Sequence, residues 1–258
     1  MTYTTQRTAL TSVLALAACG VLAFDAQADN RKFTYTYETT TMPKGQREHE
    51  HWVTWKTDKN NDHDFDQLDF RHEIEWGVTD NFQLAIYVSD WTYKDGASVS
   101  NNGTDWKNAA VEAIYALTDP TADDFGSALY GEVKLGDEKF VLEGKILLQK
   151  NVGPWIFAYN GTVEAEWEGE DYDEDKGEFA NTLGVSYQIS PKLSAGVELV
   201  HEVEYDDWKD WGDDVLYAGP VVSSASDNWW FAITQLFQVT DLAGEPDFQT
   251  RMIVGFDF

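Results

Sequence analysis

The feature that narrows the fold most is a period of two that runs almost without interruption from Arg31 to the last residue. "FQLAIYVS" sets Phe82, Leu84, Ile86 and Val88 against Gln83, Ala85, Tyr87 and Ser89. "KFVLEGKILLQ" sets Phe140, Leu142, Ile146 and Leu148 against Glu143, Lys145 and Gln149, and "KLSAGVELVHEVEY" sets Leu193, Val197, Leu199 and Val203 against Ser194, Glu198, Glu202 and Glu204. Alternation of this kind belongs to strands, and convincing helical patterns are absent. The runs reach about ten residues or more, the length of a tilted strand that crosses a bilayer. Strands of soluble domains are mostly about half as long. The chain ends on "RMIVGFDF", with Met252, Val254, Phe256 and Phe258 on one side and Arg251 and Asp257 on the other. A frayed terminus in water gains nothing from that pattern, whereas a strand closing a sheet in a bilayer does.

The connections alternate in kind. "GVTDNF", "NVGPW", "QISPKL" and "SASDNW" are tight; "TDKNNDHDFD", "YKDGASVSNNGTDW", "EGEDYDEDKGE" and "YDDWKDWGDD" are longer and acidic, with "LGDEKF" a short exception among them. Short periplasmic turns and longer external loops are the habit of outer-membrane barrels. The predicted fold is therefore all-β: a transmembrane antiparallel up-and-down barrel of about 12 strands. The expected strands cover 46–57, 65–77, 81–93, 105–118, 125–136, 139–150, 154–168, 178–189, 193–205, 214–223, 228–238 and 247–258. "KFTYTYETTT" (Lys32 to Thr41) is a thirteenth alternating run that breaks the even parity. It belongs in the lumen or on the periplasmic rim, unless the count is off by one.

The 258 residues divide into a segment 1–28, a segment 29–45 and a barrel 46–258. The first carries Arg7, an apolar run and the small-x-small site Ala26-Gln27-Ala28, the layout of a cleaved secretory signal. A competing reading takes "LAAC" as a lipoprotein box with Cys19 lipidated. Either way the mature chain lacks a disulfide. The formal net charge of −28 argues against nucleic-acid binding, which needs clustered Lys and Arg. With 11 Trp and 12 Tyr the acidity points to a folded body with negative surfaces rather than to disorder. Trp55, Trp76, Trp91, Trp155, Trp167 and Trp229 fall near predicted strand ends, where aromatic girdles meet the membrane interfaces. A soluble sandwich with a Trp-rich core is the competing architecture, and it needs neither the terminal Phe nor strands of this length.

The stretches "FRHEIEWGVTDNFQLAIY", "YALTDP", "GEVKLGDEKFVLEGKILLQKN", "LGVSYQISPKLSAGVEL", "YAGPVVS" and "RMIVGFDF" resemble the outer-membrane barrels grouped with the meta-pathway phenol-degradation proteins and related uncharacterised families. The resemblance covers most of the mature chain. It implies an outer-membrane barrel, sometimes linked to uptake of small aromatic compounds, and transfers no site residues.

If apolar faces meet lipid, the opposite faces line the lumen. That assigns inward Lys56, Arg71, Glu73, Glu75, Glu112, Glu132, Lys134, Glu143, Lys145, Glu164, Glu166, Glu198, Glu202, Glu204 and Arg251. Two roles compete for them: a lumen-filling ionic network in a plugged, structural or surface-interaction barrel, and a narrow cation-favouring path for a small solute, with aromatic or apolar compounds as candidates. The acidic loops read as a solvated negative rim, with weak divalent-ion binding and bridging to lipopolysaccharide as the alternative. His49 and His51 share a strand face without an evident third metal ligand. No catalytic residue, metal or cofactor is assigned; G-x-S-x-G, H-E-x-x-H and P-loop patterns are missing. The expected setting is the Gram-negative outer membrane after Sec export, with lipid, lipopolysaccharide and the barrel-assembly machinery as partners, the last reading Phe256 and Phe258.

Overall fold

The computed structural model describes residues 30–258 other than Asp207, and the backbone alone at Glu174. The signal segment and Cys19 lie outside the described residues. The strands are β1 (Arg47–Lys59), β2 (Asp62–Thr79), β3 (Phe82–Asp95), β4 (Gly103–Thr118), β5 (Gly126–Gly136), β6 (Lys139–Val152), β7 (Trp155–Glu168), β8 (Glu174–Ser190), β9 (Leu193–Asp206), β10 (Asp210–Ala225), β11 (Trp229–Gln238) and β12 (Pro246–Asp257). Each pairs antiparallel with its sequence neighbours. β1 closes on β12, with Glu48 opposite Asp257 and Val53 opposite Met252, so the twelve form one closed barrel.

Expected and observed strands agree in number and order. The largest differences in bounds lie at the acidic connections. β2, β8 and β10 begin three or four residues earlier than the alternation indicates, and the supposed long loop "TDKNNDHDFD" shrinks to Asn60 and Asn61 between two strands. Above the hydrocarbon both faces of a strand meet water, so the ladder continues where the apolar-polar contrast has ended. Two barrel ends follow: a terminus end, where β1 begins and β12 stops, and an acid-rich end.

The outer face carries half-exposed or exposed Ile86, Val111, Leu129, Leu142, Ile146, Val163, Leu183 and Val197. In water such a belt would far exceed the apolar patch of an ordinary monomer; around a barrel it is the hydrocarbon contact. Rings gather at both margins. Trp155 meets Tyr187 and Trp229 lies along Phe231 at the terminus end, while Phe70 stacks on Trp91 at 3.9 Å and Phe140 tilts against Trp167 at the other. Phe256 and Phe258 are exposed, and the Phe258 amide donates to the Arg47 carbonyl at 3.2 Å.

Residues 30–42 form no strand. They lie inside the barrel, with Phe33, Thr34, Thr36 and Thr39 essentially inaccessible. Gly184 makes room for them: a Cβ there would stand 2.6 Å from the Phe33 ring.

Candidate functional site

The segment is held by barrel side chains that take the place of a backbone ladder. Glu198 Oε1 accepts the amides of Tyr35 (2.9 Å) and Thr36 (2.8 Å), and its Oε2 accepts the Thr34 amide (3.0 Å) and the Thr234 hydroxyl (2.5 Å). Asn160 both accepts from the Tyr37 amide (2.6 Å) and donates to the Tyr37 carbonyl (2.9 Å). Gln149 accepts the Thr39 amide, and Gln83 the Met42 amide, each at 2.8 Å. An alternating run with no strand partner still has to satisfy its amides, and the lumen side chains do so. Of the clamp only Glu198 was expected from the sequence. Asn160, Gln149 and Gln83 are neutral and sit on inward strand positions, where amides draw no notice until something is found opposite them.

Above the segment, toward the acid-rich end, lies an open cavity of about 260 Å3. Lys56, Arg71, Glu132, Lys134, Glu143, Lys145, Glu202 and Arg251 of the expected residues line it, joined by Asp69, Asp90, Lys107 and Glu178. Six cationic groups thus face six carboxylates, so the lining is formally charge-balanced. Lys134 bridges Glu143 and Glu164, both at 2.8 Å, and Lys145 reaches Glu143 at 2.7 Å. Glu164, Glu166 and Glu204 stand higher, around a second recess at the rim, where Lys139 contacts Glu166 at 2.5 Å. Arg71 pairs with Asp90 at 3.0 Å. Strict alternation from Phe82 would turn Asp90 outward. A register shift between Tyr87 and Asp90 restores it to the lumen, the usual effect of a β-bulge.

The cavity floor is aromatic. Tyr37 meets Tyr130 edge-on at 5.1 Å, Lys145 lies 4.6 Å above the Tyr37 ring, and Arg251 covers Tyr35 at 3.8 Å. Below Tyr37 a smaller pocket of about 40 Å3 opens among Arg31, Glu48, Glu50, Glu75 and Gln83. Glu73 and Glu112 line neither space; both are buried in the wall of the terminus-end half. Glu112 Oε2 accepts three phenol hydroxyls, from Tyr37 (3.3 Å), Tyr130 (2.9 Å) and Tyr87.

The histidines behave differently. Pairing of β1 with β2 sets His51 opposite His72, with Nδ1 atoms 2.7 Å apart, and His49 lies 4.2 Å from His51 ring to ring. A third imidazole is therefore present, supplied by a neighbouring strand, as a linear scan of one strand would miss. The group shares the outer face with Phe256, away from the lumen. On the same face an apolar groove indents the wall among Leu183, Val185, Val197, Leu199, Gly219 and Pro220. There the β10–β11 ladder skips from Ala218 to Val221, and Pro220 has no amide hydrogen to offer.

The profile of a family described as "Family of unknown function (DUF6662)" matches residues 25–252. Among curated proteins no relative matches. Among solved structures, the COG4313 outer membrane channel from Pseudomonas putida F1 is similar with a TM-score of 0.63 at 13% identity, over 85% of this chain and 98% of that one. The NanC porin follows with 0.55 at 10% identity, over 81% and 100%. The KdgM porin, solved in complex with disordered oligogalacturonate, gives 0.52 at 11% identity, over 83% and 99%. At such identities the likeness is one of fold, and outer-membrane channel barrels are what these structures have in common.

Proposed function

We propose that this chain, which belongs to the DUF6662 family, is an outer-membrane channel for a small solute, closed at rest by its own residues 30–42. One observation carries the reading: Tyr37 lines both the open cavity above and the small pocket below, so a single residue of the internal segment divides two spaces that would otherwise join. The apolar belt, the two girdles and the likeness to channel barrels support insertion in the Gram-negative outer membrane after Sec export. Lipid then covers the belt, lipopolysaccharide meets the acid-rich end, and the assembly machinery reads Phe256 and Phe258.

The cavity is slightly smaller than the roughly 300–1,000 Å3 usual for ligand sites, so the solute is small. A floor of Tyr35, Tyr37, Trp52 and Tyr130 with cations over the rings suits a planar aromatic compound, in keeping with the resemblance to phenol-degradation barrels. Equal numbers of opposite charges in the lining favour weak ionic selectivity.

A second reading has its own support. Six main-chain amides between Thr34 and Met42 are bonded to wall side chains, which suits a permanent plug in a structural barrel whose acidic rim binds cations weakly. Conductance in planar bilayers separates the two. The intact chain should pass little current, and deletion of residues 30–42 should raise single-channel conductance several-fold, with Tyr37→Ala intermediate. A deletion variant that inserts as a heat-modifiable barrel and still passes no current defeats the channel reading.

A further inference from the structure

Below Tyr37 the lumen gathers carboxylates faster than it supplies cations. One oxygen each from Glu73, Glu75 and Glu112 lies within 4.8 Å of the others, and Glu48, Glu50 and Glu75 form a second such triad sharing Glu75. Four of the five have neutral donors. The Trp230 indole donates to Glu48 (2.7 Å), the Trp52 indole to Glu50 (2.6 Å), the Gln83 amide to Glu75 (2.8 Å), and three phenols to Glu112.

Glu73 is the exception. It is wholly buried, among the described residues no neutral donor reaches either of its oxygens, and its carboxyl faces that of Glu75. Glu112 Oε1 is likewise without a donor among the described residues, because all three phenols converge on Oε2. An ionised carboxylate taken out of water without a partner costs far more than a barrel's stability allows, so something must answer this charge. Among the described residues neither nearby guanidinium pairs with Glu73: Arg31 lies 3.7 Å from Glu50 and over the Tyr37 and Trp52 rings, its Nη2 without a hydrogen-bond partner, and Arg71 is bonded to Asp90.

We propose that Glu73, Glu75 and Glu112 bind a hard divalent cation of the calcium class, reached from the terminus end through the pocket that Glu48, Glu50 and Glu75 line. The donor set is all oxygen, which selects against zinc and copper. Calcium takes roughly six to eight oxygens and tolerates irregular, bidentate carboxylates, whereas magnesium insists on a near-ideal octahedron and keeps its water. Both oxygens of Glu73, Oε1 of Glu112 and one oxygen of Glu75 supply the protein share. The ion would tie β2 to β4 directly beneath the internal segment. The proposal concerns binding alone and stands whether or not the barrel conducts.

Terbium luminescence on the full chain in detergent tests it, because Tyr87, Tyr130 and Tyr37 surround Glu112 and can sensitise a bound lanthanide. The expected result is emission through aromatic excitation that calcium displaces, with one calcium per barrel retained through gel filtration in metal-free buffer. Glu73→Gln should weaken binding at least tenfold while keeping heat-modifiable mobility, whereas Asp171→Asn with Asp173→Asn on the acid-rich rim should leave the sensitised signal unchanged. If Glu73→Gln misfolds, Glu112→Gln and calcium analysis of the native protein carry the test. Binding abolished by the rim substitutions and indifferent to Glu73→Gln overturns the proposal. So does a protonated-carboxyl infrared band that persists at saturating calcium and vanishes in Glu73→Gln, since a shared proton then answers the charge.

Discussion

The two halves of the lumen solve one problem in opposite ways. Toward the terminus end most of the inward carboxylates meet amides, phenols and indoles, and the chain's own residues 30–42 fill the space. Toward the acid-rich end the carboxylates meet ammonium and guanidinium groups, and the space stays open. A neutral donor is cheap to bury, so a wall built on Glu198 or Glu112 can be packed dry. An ammonium is not, and a wall built on Lys134 or Lys145 keeps part of its water. The choice of partner, more than the number of carboxylates, decides where this barrel is plugged and where it is hollow.

The comparison breaks first at Glu198. Glu198→Ala removes the acceptor of three buried main-chain amides and of the Thr34 and Thr234 hydroxyls. Stranded buried donors cost about 1–3 kcal/mol each, without adding in full. If the segment stays in place, thermal stability in detergent should fall by about 3–5 kcal/mol. If it leaves, the loss is smaller and open-channel bursts appear in bilayer recordings. No change in either reading would mean that the clamp holds nothing.

Placing one lysine in three neighbouring environments sharpens the contrast. Ser194 faces inward in the filled half and is buried, Ala180 lines the open cavity beside Glu178 and Glu202, and Val197 faces outward and is exposed on the belt. Ser194→Lys forces an ammonium into a buried position and should cost several kcal/mol. Val197→Lys meets hydrocarbon, at about 2–4 kcal/mol near mid-depth. Ala180→Lys finds water and two carboxylates and should stay within about 1 kcal/mol of the native barrel. Urea or heat titration of the refolded proteins ranks them; an Ala180 variant as damaged as the Ser194 variant would erase the distinction between the halves.

Much of the architecture was legible because lipid and lumen impose opposite demands on alternate residues, as at Leu142 and Glu143 or Val197 and Glu198. Strand number and order followed from that contrast. What escaped was whatever the contrast does not reach. The starts of β8 and β10 lie beyond the apolar belt, where both faces are polar. Asp90 is turned inward by a bulge, which adds one residue and leaves no mark in composition. Residues 32–41 alternate as a strand does, yet six amides between Thr34 and Met42 are bonded to Glu198, Asn160, Gln149 and Gln83, a pairing that depends on four different strands meeting across the lumen. Their excess over an even strand count was the one available sign. The His51–His72 contact was hidden for a related reason, since register sets it and spacing along one strand does not.

The mildest change tests whether the upper half is truly wet. Lys134 sits between Glu143 and Glu164, with Glu132 at 3.6 Å, and is 16% exposed. In a dry interior, removing the cation from such a cluster costs about 3–5 kcal/mol, because the carboxylates left behind have no partner. Here Glu143 keeps Lys145 at 2.7 Å, Glu132 lines the open cavity, and Glu164 lines the recess at the rim. Lys134→Met should therefore cost only about 1–2 kcal/mol by thermal unfolding in detergent. It should also tip a balanced lining toward negative, so that in the barrel lacking residues 30–42 the reversal potential under a salt gradient moves toward cation preference. A loss near 4 kcal/mol with unchanged selectivity would show the ionic half to be packed as tightly as the filled one, and the difference between them would then lie in volume alone.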